Sequence, residues 1–279
     1  MSIEIGPLPK HITEWFAINA RDLPWRRTRD PYAIWISEIM LQQTQVKTVI
    51  PYWERWMREL PNIQSLAATD EQRVLKLWEG LGYYTRACNL QKAARLICEN
   101  HSATFPNDFE QILELPGIGR YTAGAIASIA FNQPKPILDG NVVRVLTRQF
   151  AIEGDPKSPL IQQQLWDLST RLVTSADCPS SLNQGLMELG ATICTPRDPL
   201  CHSCPIQRSC AAFKTNQVTA FPQIPVRKKP RQRKFIAYIL RSGDRFLVRK
   251  RSETVVNGNL WEFPNIEILR GQKTLPAFK

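Results

Sequence analysis

The sequence predicts a mainly α-helical protein that ends in a short β-rich segment. Three observations carry this. From Thr13 to about Ala212 the apolar residues recur mostly at helical spacing. Pro or Gly interrupts that pattern at intervals of roughly ten to twenty residues. Beyond Lys234 the runs FIAYIL and RFLVRKR are rich in β-branched and aromatic residues and are separated by the turn-prone Ser242-Gly243-Asp244, the pattern of a hairpin. No fixed period repeats along the chain, which argues against a solenoid.

With 279 residues, 43% hydrophobic and 22% charged, the chain is long enough for one large domain or two ordinary ones and is not expected to be disordered. A formal charge of +11 favours a polyanionic partner, because clustered Lys and Arg release counterions from nucleic acid. An anionic membrane surface would attract the same charges. The opening residues MSIEIGPLPKHITEWF show neither a signal nor a transit peptide. The stretch AGAIASIAF is far short of the ~20 residues that span a bilayer, so the expected setting is the cytosol, with no membrane partner.

The first helix of functional interest lies in PYAIWISEIMLQQTQV. There Glu38 shares a face with Ile34, Trp35, Leu41 and Gln42, so its carboxyl is directed into largely apolar surroundings. Such a site raises a carboxyl pKa, as a general acid at neutral pH requires. A lone Glu of this kind is more often solvated or salt-bridged. The next two helical stripes flank the LGYY turn, with Val74, Leu77 and Trp78 before it and Leu90, Ala93, Ala94 and Ile97 after it. In LPGIGRYTAGAIASIAF a Pro-Gly-x-Gly turn runs directly into an apolar helix. Gly117 and Gly119 could let backbone N–H groups approach a phosphate, or could simply form a tight turn between packed helices. In PILDGNVVRVL, Asp139 sits where a helix N-cap is expected. Capping leaves room for a second role, in which an ionised Asp stabilises a cationic sugar while another carboxyl protonates the leaving group.

The chain has seven cysteines. Cys194, Cys201, Cys204 and Cys210 follow the spacing C-x6-C-x2-C-x5-C in a proline-rich loop, close enough to hold one metal centre. Spacing leaves zinc and an iron–sulfur cluster both open, and His202 reads as a bystander. Cys88, Cys98 and Cys178 read as buried small apolar residues. Residues 215–234, with three prolines and the run VRKKPRQRK, read as an exposed basic linker.

Taken in order, SEIMLQQTQV, WEGLGYYTRA, LPGIGRYTAGA, ILDGNVVRVL and the four-cysteine loop closely resemble the adenine DNA glycosylases of the MutY kind, within the endonuclease III superfamily. The resemblance runs from about residue 10 to about residue 270. It implies a two-lobed helix–hairpin–helix fold with DNA across the cleft. The helical glycosylase domain would span 1–214, made of a six-helix lobe at about 28–135 and a cluster lobe of 1–27 and 136–214. The linker of 215–234 would follow, and then an incomplete NUDIX-like domain over 235–279. It further implies a [4Fe-4S] cluster on Cys194, Cys201, Cys204 and Cys210, and a monomer acting near the nucleoid on double-stranded DNA that carries A:8-oxoguanine or A:G mispairs.

The same resemblance assigns roles. Glu38 falls on the family's proton donor to adenine N7, Asp139 on the carboxylate that stabilises or transiently bonds the oxocarbenium ion, and Asn141 on the Asn that orients them. Trp25, Arg26 and Leu41 line up with the adenine pocket. Gln43, with its neighbour Thr44, and Tyr83 match DNA-contacting positions, Gln43 and Tyr83 being those inserted beside the extruded base. Gly117 and Gly119 belong to the hairpin that binds a phosphate. Where lyase-active relatives carry a Schiff-base Lys this chain has Tyr121, and a phenol forms no imine with the sugar aldehyde, so the expected enzyme is monofunctional. The tail LVRKRSETVVNGNLWEFP resembles the opening of a NUDIX-like domain but holds no complete pyrophosphatase signature. Two rival readings remain at this point. One is an endonuclease III-like glycosylase for damaged pyrimidines, and the other is a non-catalytic DNA-binding module with structural zinc.

Overall fold

The computed structural model describes residues 4–225, 232–252, 255, 258 and 260–268. The chain divides into two compact units, Met1–Leu81 with Arg86–Pro225, and Gly82–Thr85 with Val226–Lys279. The described residues form twelve α-helices: α1 Leu8–Asn19, α2 Pro31–Leu41, α3 Val46–Glu59, α4 Ile63–Ala68, α5 Glu71–Trp78, α6 Thr85–Asn100, α7 Phe109–Glu114, α8 Arg120–Phe131, α9 Gly140–Phe150, α10 Pro159–Thr174, α11 Pro179–Thr192 and α12 Ala211–Lys214. The mainly helical class expected from the apolar spacing is the one observed.

Helix α2 starts because Asp30 caps it, accepting from the Tyr32 N–H at 3.0 Å, and Pro31 fills the first turn. Every residue from Tyr32 to Met40 is buried, so this helix is apolar nearly all round and lies at the centre of its group. It packs on α3, which reaches it through the indoles: Trp53 donates to the Ala33 carbonyl at 2.9 Å and Trp56 to the Tyr32 hydroxyl at 3.1 Å. At its C-terminal end Arg86 donates to the carbonyls of Ile39 and Gln42, each at 2.7 Å, satisfying groups that a helix end leaves open. Helix α8 packs on the other side of α2.

The second group is built around α11, which packs on α1, α9, α10 and α8. Two glycines allow its close approaches. A Cβ at Gly185 would stand 2.8 Å from Ile12, and one at Gly190 would stand 2.5 Å from the Cβ of Asn141. Helix α9 is capped by Asp139, whose Oδ1 accepts from the Val142 N–H at 2.7 Å, as the sequence leads one to expect. Of the three cysteines read as buried apolar residues, none is fully enclosed: Cys88, Cys98 and Cys178 are half-buried.

The helical unit runs to Pro225, past the boundary at 214 expected from the proline content. The reason is Phe221, buried at 3% exposure, whose carbonyl accepts from the Arg148 Nε at 3.0 Å. The run VRKKPR lies outside the described residues. In the second unit, β1 Lys234–Ala237, β2 Arg241–Ser242, β3 Arg245–Phe246, β4 Arg249–Lys250, β5 Trp261–Glu262 and β6 Asn265–Ile268 pair antiparallel as β1 with β6, β2 with β3 and β4 with β5. The β2–β3 pair is the expected turn at Gly243, while the FIAYIL run is drawn to β6 instead of to its neighbour. Among the described residues no helix is long and apolar enough to cross a membrane.

Helix α8 passes close to the segment that leads to Asp139: a Cβ added at Gly124 would meet the Pro136 carbonyl oxygen at 2.1 Å. Backbone cannot yield as a flexible side chain can, so Gly124→Ala should cost ~1–3 kcal/mol. Urea unfolding would read this as a lower midpoint with an unchanged slope.

Candidate active site

Between the two helical groups lies a cavity of about 540 Å³. Its floor is α2, its walls are the start of α8, the start of α9 and the middle of α11, and the turn Pro24–Arg26 closes one side. Nine residues selected from the sequence line it together: Glu38, Tyr121, Asp139 and Asn141, with Trp25, Arg26, Leu41, Gln43 and Thr44. Three do not. Gly117 and Gly119 lie at the α7–α8 turn, and Tyr83 falls in the Gly82–Thr85 segment, where it is 62% exposed.

Glu38 is buried, and burial pushes its carboxyl up from 4.5 to about 7. The Tyr121 hydroxyl donates to its Oε2 at 2.8 Å and opposes that rise, the charge of Asp139 adds to it, and the charge of Arg26 opposes it. The apolar environment inferred from helical spacing is therefore only part of the setting. The Tyr121 oxygen also stands 3.2 Å from Met187 Sδ, and burial beside two carboxyl groups raises its own pKa well above that of a free phenol.

Asp139 uses both oxygens. Oδ1 accepts from Val142, and Oδ2 accepts from the Asn141 Nδ2 at 2.9 Å. Burial raises its pKa, and these N–H donors together with Arg144 work against that rise. These donors bind the anion and so limit the rise that burial imposes. Asn141 is fixed in turn, because its Oδ1 accepts from Arg144 at 2.7 Å and Gly190 presses on its Cβ.

Gln43 adopts φ +58 and Tyr83 φ +48, so both sit in the left-handed region that ordinary side chains rarely occupy. At the α7–α8 turn Gly117 has φ +80, while Gly119 caps α8 with open space where a Cβ would be. The N–H groups of the first turn of α8 are thus not screened by a side chain at that position.

The cavity also contains residues that the sequence reading missed. Glu188 of α11 is fully enclosed, and it accepts from Arg21 Nε at 2.6 Å, Arg21 Nη2 at 2.9 Å, the Arg21 backbone N–H at 3.1 Å and Arg26 Nη2 at 2.7 Å. Burial alone would raise its pKa, but these hydrogen bonds outweigh it and hold the carboxyl at about 2. Gln184 and Met187 complete the same wall. No sequence signal marked Glu188, because its partners lie more than 160 residues away in the chain.

The four loop cysteines come together away from this cavity. All are half-buried, and Cys201, Cys204 and Cys210 have raised pKa values, Cys204 at about 12, through burial and then through each other's charges and that of Cys194. Thiols that resist ionising together suit a cationic centre that takes the place of their protons. Arg148 supports the fit. It is buried at 2% exposure, pairs with no carboxylate among the described residues, and directs Nη1 at Cys194 Sγ, 3.4 Å away. A buried cation without a counter-charge is costly, and an anionic thiolate centre would supply one. Among the described residues no group of three or more His, Cys, Asp or Glu closes on a single metal ion.

Residues 36–171 match the family described as HhH-GPD superfamily base excision DNA repair protein. The adenine DNA glycosylase of Rattus norvegicus is 46% identical over 234 residues, covering 80% of this chain and 45% of the relative. The adenine DNA glycosylase of Homo sapiens is 40% identical over 94% of this chain and 58% of its own length, so the chain spans about half the length of these mammalian relatives. That of Buchnera aphidicola subsp. Schizaphis graminum is 42% identical over 92% of this chain and 74% of its own length. Among solved structures, a thermostable thymine-DNA glycosylase superposes with a TM-score of 0.68 at 30% identity, covering 75% of this chain and 95% of that one. A non-covalent endonuclease III–DNA complex superposes at 0.61 and 20% identity, which speaks for the shared fold. With a matched segment that holds Glu38, Tyr121, Asp139 and Asn141, and a bacterial relative aligned along most of both chains, the protein belongs to the adenine DNA glycosylase family of the helix–hairpin–helix base excision repair superfamily.

Proposed function

We propose that this protein removes adenine paired with 8-oxoguanine or guanine in duplex DNA, by hydrolysing the N-glycosidic bond without cutting the strand. The observation that carries the reading is the pairing in one cavity of a buried Glu38, with a pKa near neutrality, and an Asp139 whose two oxygens each accept an N–H donor suited to its anion. Glu38 supplies the proton to adenine N7 and so makes the base a neutral leaving group. Asp139 faces the positive charge that develops at the sugar C1′ as the bond breaks. Asn141 fixes one oxygen of Asp139, and Tyr121 fixes one oxygen of Glu38. Trp25 and Leu41 offer apolar walls to a flipped purine, with Trp25 braced edge-on against Trp53 at 6.1 Å between ring centres. Gln43, Thr44 and Tyr83 contact the DNA around the extruded nucleotide, and Gly117 and Gly119 present the start of α8 to a phosphate. The identity to adenine-specific relatives, at 40–46%, exceeds that to the thymine enzyme, at 30%, which favours adenine as the base.

Cys194, Cys201, Cys204 and Cys210 would hold a [4Fe-4S] cluster. Four thiolates in one loop are a ligand set for zinc or for an iron–sulfur cluster, and the likeness to the adenine DNA glycosylases favours the cluster. When bound, the cluster would cross-link the loop to the helical body and place negative charge opposite Arg148. The purified protein should be brown and absorb near ~400 nm, and Cys204→Ser should bleach that band. A colourless protein that retains one equivalent of zinc would overturn the assignment.

Single-turnover excision on a duplex with adenine opposite 8-oxoguanine tests the reaction. Glu38→Gln should bind the duplex and lose at least ~100-fold in excision rate, since the amide has no proton to give. Asp139→Asn should be similarly impaired, although Asn caps helices well, because it lacks the charge. Full activity in Asp139→Asn would reduce Asp139 to a cap.

Burial of Glu38 also fixes a stability trade-off. Its pKa is higher in the folded chain, about 7, than in the unfolded one, 4.5, so the native state binds more protons between those values and loses stability as pH rises through that window. Glu38→Gln removes the ionisable group. It should therefore stabilise the protein by ~2–3 kcal/mol at pH 8, an advantage that shrinks toward zero near pH 4.5. Parallel urea titrations at the two pH values would show the difference.

A further inference from the structure

Glu188 takes no part in the reaction as set out above, yet it is the most completely satisfied charge in the cavity wall. Its two oxygens accept four N–H groups, three from Arg21 and one from Arg26, with no exposed surface left on the side chain. Such a carboxylate commonly does no more than satisfy a buried arginine. Here, however, both arginines line the cavity and one carries its charge close enough to Glu38 to favour loss of the proton. Arg26 is further pinned by its donation to the Arg21 carbonyl at 3.1 Å and by the Phe16 ring, whose centre lies 5.2 Å from the guanidinium carbon.

We propose that Glu188 is a positioning residue that clamps Arg21 and Arg26 in a charge-compensated arrangement, and so keeps their positive charge from drawing the proton off Glu38. The proposal rests on the reading of Glu38 as the proton donor. With Glu188 ionised the three groups sum to one positive charge, and without it they sum to two. The full set of charged or titratable groups facing Glu38 leaves this clamp as the adjustable part. Tyr121 comes from α8, Asp139 from the start of α9, and Arg26 from the turn ahead of α2. Arg86 of α6 lies at the carbonyl end of α2, and the contacts from α3 are the indoles of Trp53 and Trp56. Tyr121 and Asp139 are each held by their own partners, so the net positive charge near Glu38 is set by how far Glu188 cancels the two arginines. The clamp also has geometric consequences. Bidentate contact with Arg21 and a single contact with Arg26 fix both guanidinium planes against the wall, leaving the cavity free for a base.

The test is the pH dependence of single-turnover adenine excision by the full chain, measured on a duplex with adenine opposite 8-oxoguanine. Excision should fall at high pH as Glu38 loses its proton. In Glu188→Gln the midpoint of that fall should move down by about one pH unit, with a ~10-fold loss at pH 8 and a much smaller loss at pH 5.5. Glu188→Asp should restore part of the shift. Arg26→Gln removes positive charge and should move the midpoint up, the opposite direction, which keeps the idea testable even where Glu188→Gln folds poorly. A uniform loss at every pH with the midpoint unmoved, or midpoints that move the same way in Glu188→Gln and Arg26→Gln, would overturn the proposal and leave Glu188 a packing residue. Glu38→Gln in the same series separates the two levels: if it retains excision, the reading of Glu38 fails, whereas if it is inactive and the other midpoints stand still, only the role of Glu188 fails.

Discussion

A carboxyl group buried against a second carboxyl group is the constraint on which the rest of this structure depends. Two such groups cannot both be charged in an apolar cavity without heavy cost, so one must be kept neutral and the other ionic by their surroundings. The chain gives them different surroundings by placing Glu38 within a helix that is apolar nearly all round, and Asp139 at a helix start, where free N–H groups oppose the rise that burial imposes. Position within the helix, rather than residue type, separates the two. A Glu in mid-helix has no backbone donors to accept from, because each N–H is already bonded within the helix. An Asp at the N-cap faces unsatisfied N–H groups by construction.

Holding that geometry requires helices to approach closely, and the sequence supplies glycine where they do. Gly190 brings α11 against Asn141, Gly185 brings it against α1, and Gly124 brings α8 against the segment leading to Asp139. A larger residue at any of the three would move one wall of the cavity relative to another. The same helix α11 carries Glu188 into that wall, so packing and electrostatics are set by one element.

How much of this was legible in the sequence follows from the range of the interactions. The apolar face around Glu38, the cap at Asp139 and the turn at Gly117 depend on residues within a few positions, and each is found where its local pattern indicates. The hydrogen bond from Tyr121 to Glu38 spans 83 residues, and the clamp at Glu188 spans more than 160, so neither leaves a local trace. In LNQGLMELGA nothing local marks the glutamate, and only the fold places two arginines beside it. The helical unit extends past 214 for a related reason. Proline content signals a linker, but the burial of Phe221 and the bond from Arg148 hold the chain on the helical body as far as Pro225.

Arg144 shows why the cysteine loop and the cavity behave as one mechanical piece. Its Nη2 donates to Asn141 Oδ1 and to the Gly190 carbonyl, each at 2.7 Å, its Nε to the Cys194 carbonyl at 2.6 Å and its Nη1 to the Gly140 carbonyl at 3.2 Å. One guanidinium therefore ties the residue that holds Asp139, the end of α11 and the first cysteine of the loop. Arg148, one turn further along α9, fastens Thr195 and Pro196 of the same loop through their carbonyls. The bonds to the carbonyls of Cys194, Thr195 and Pro196 are to backbone, and what they require is that the loop backbone keep its path. Four cysteines tied to a common centre would fix that path, and the orientation of Asn141 toward Asp139 would then be set in part by a loop that never touches the cavity.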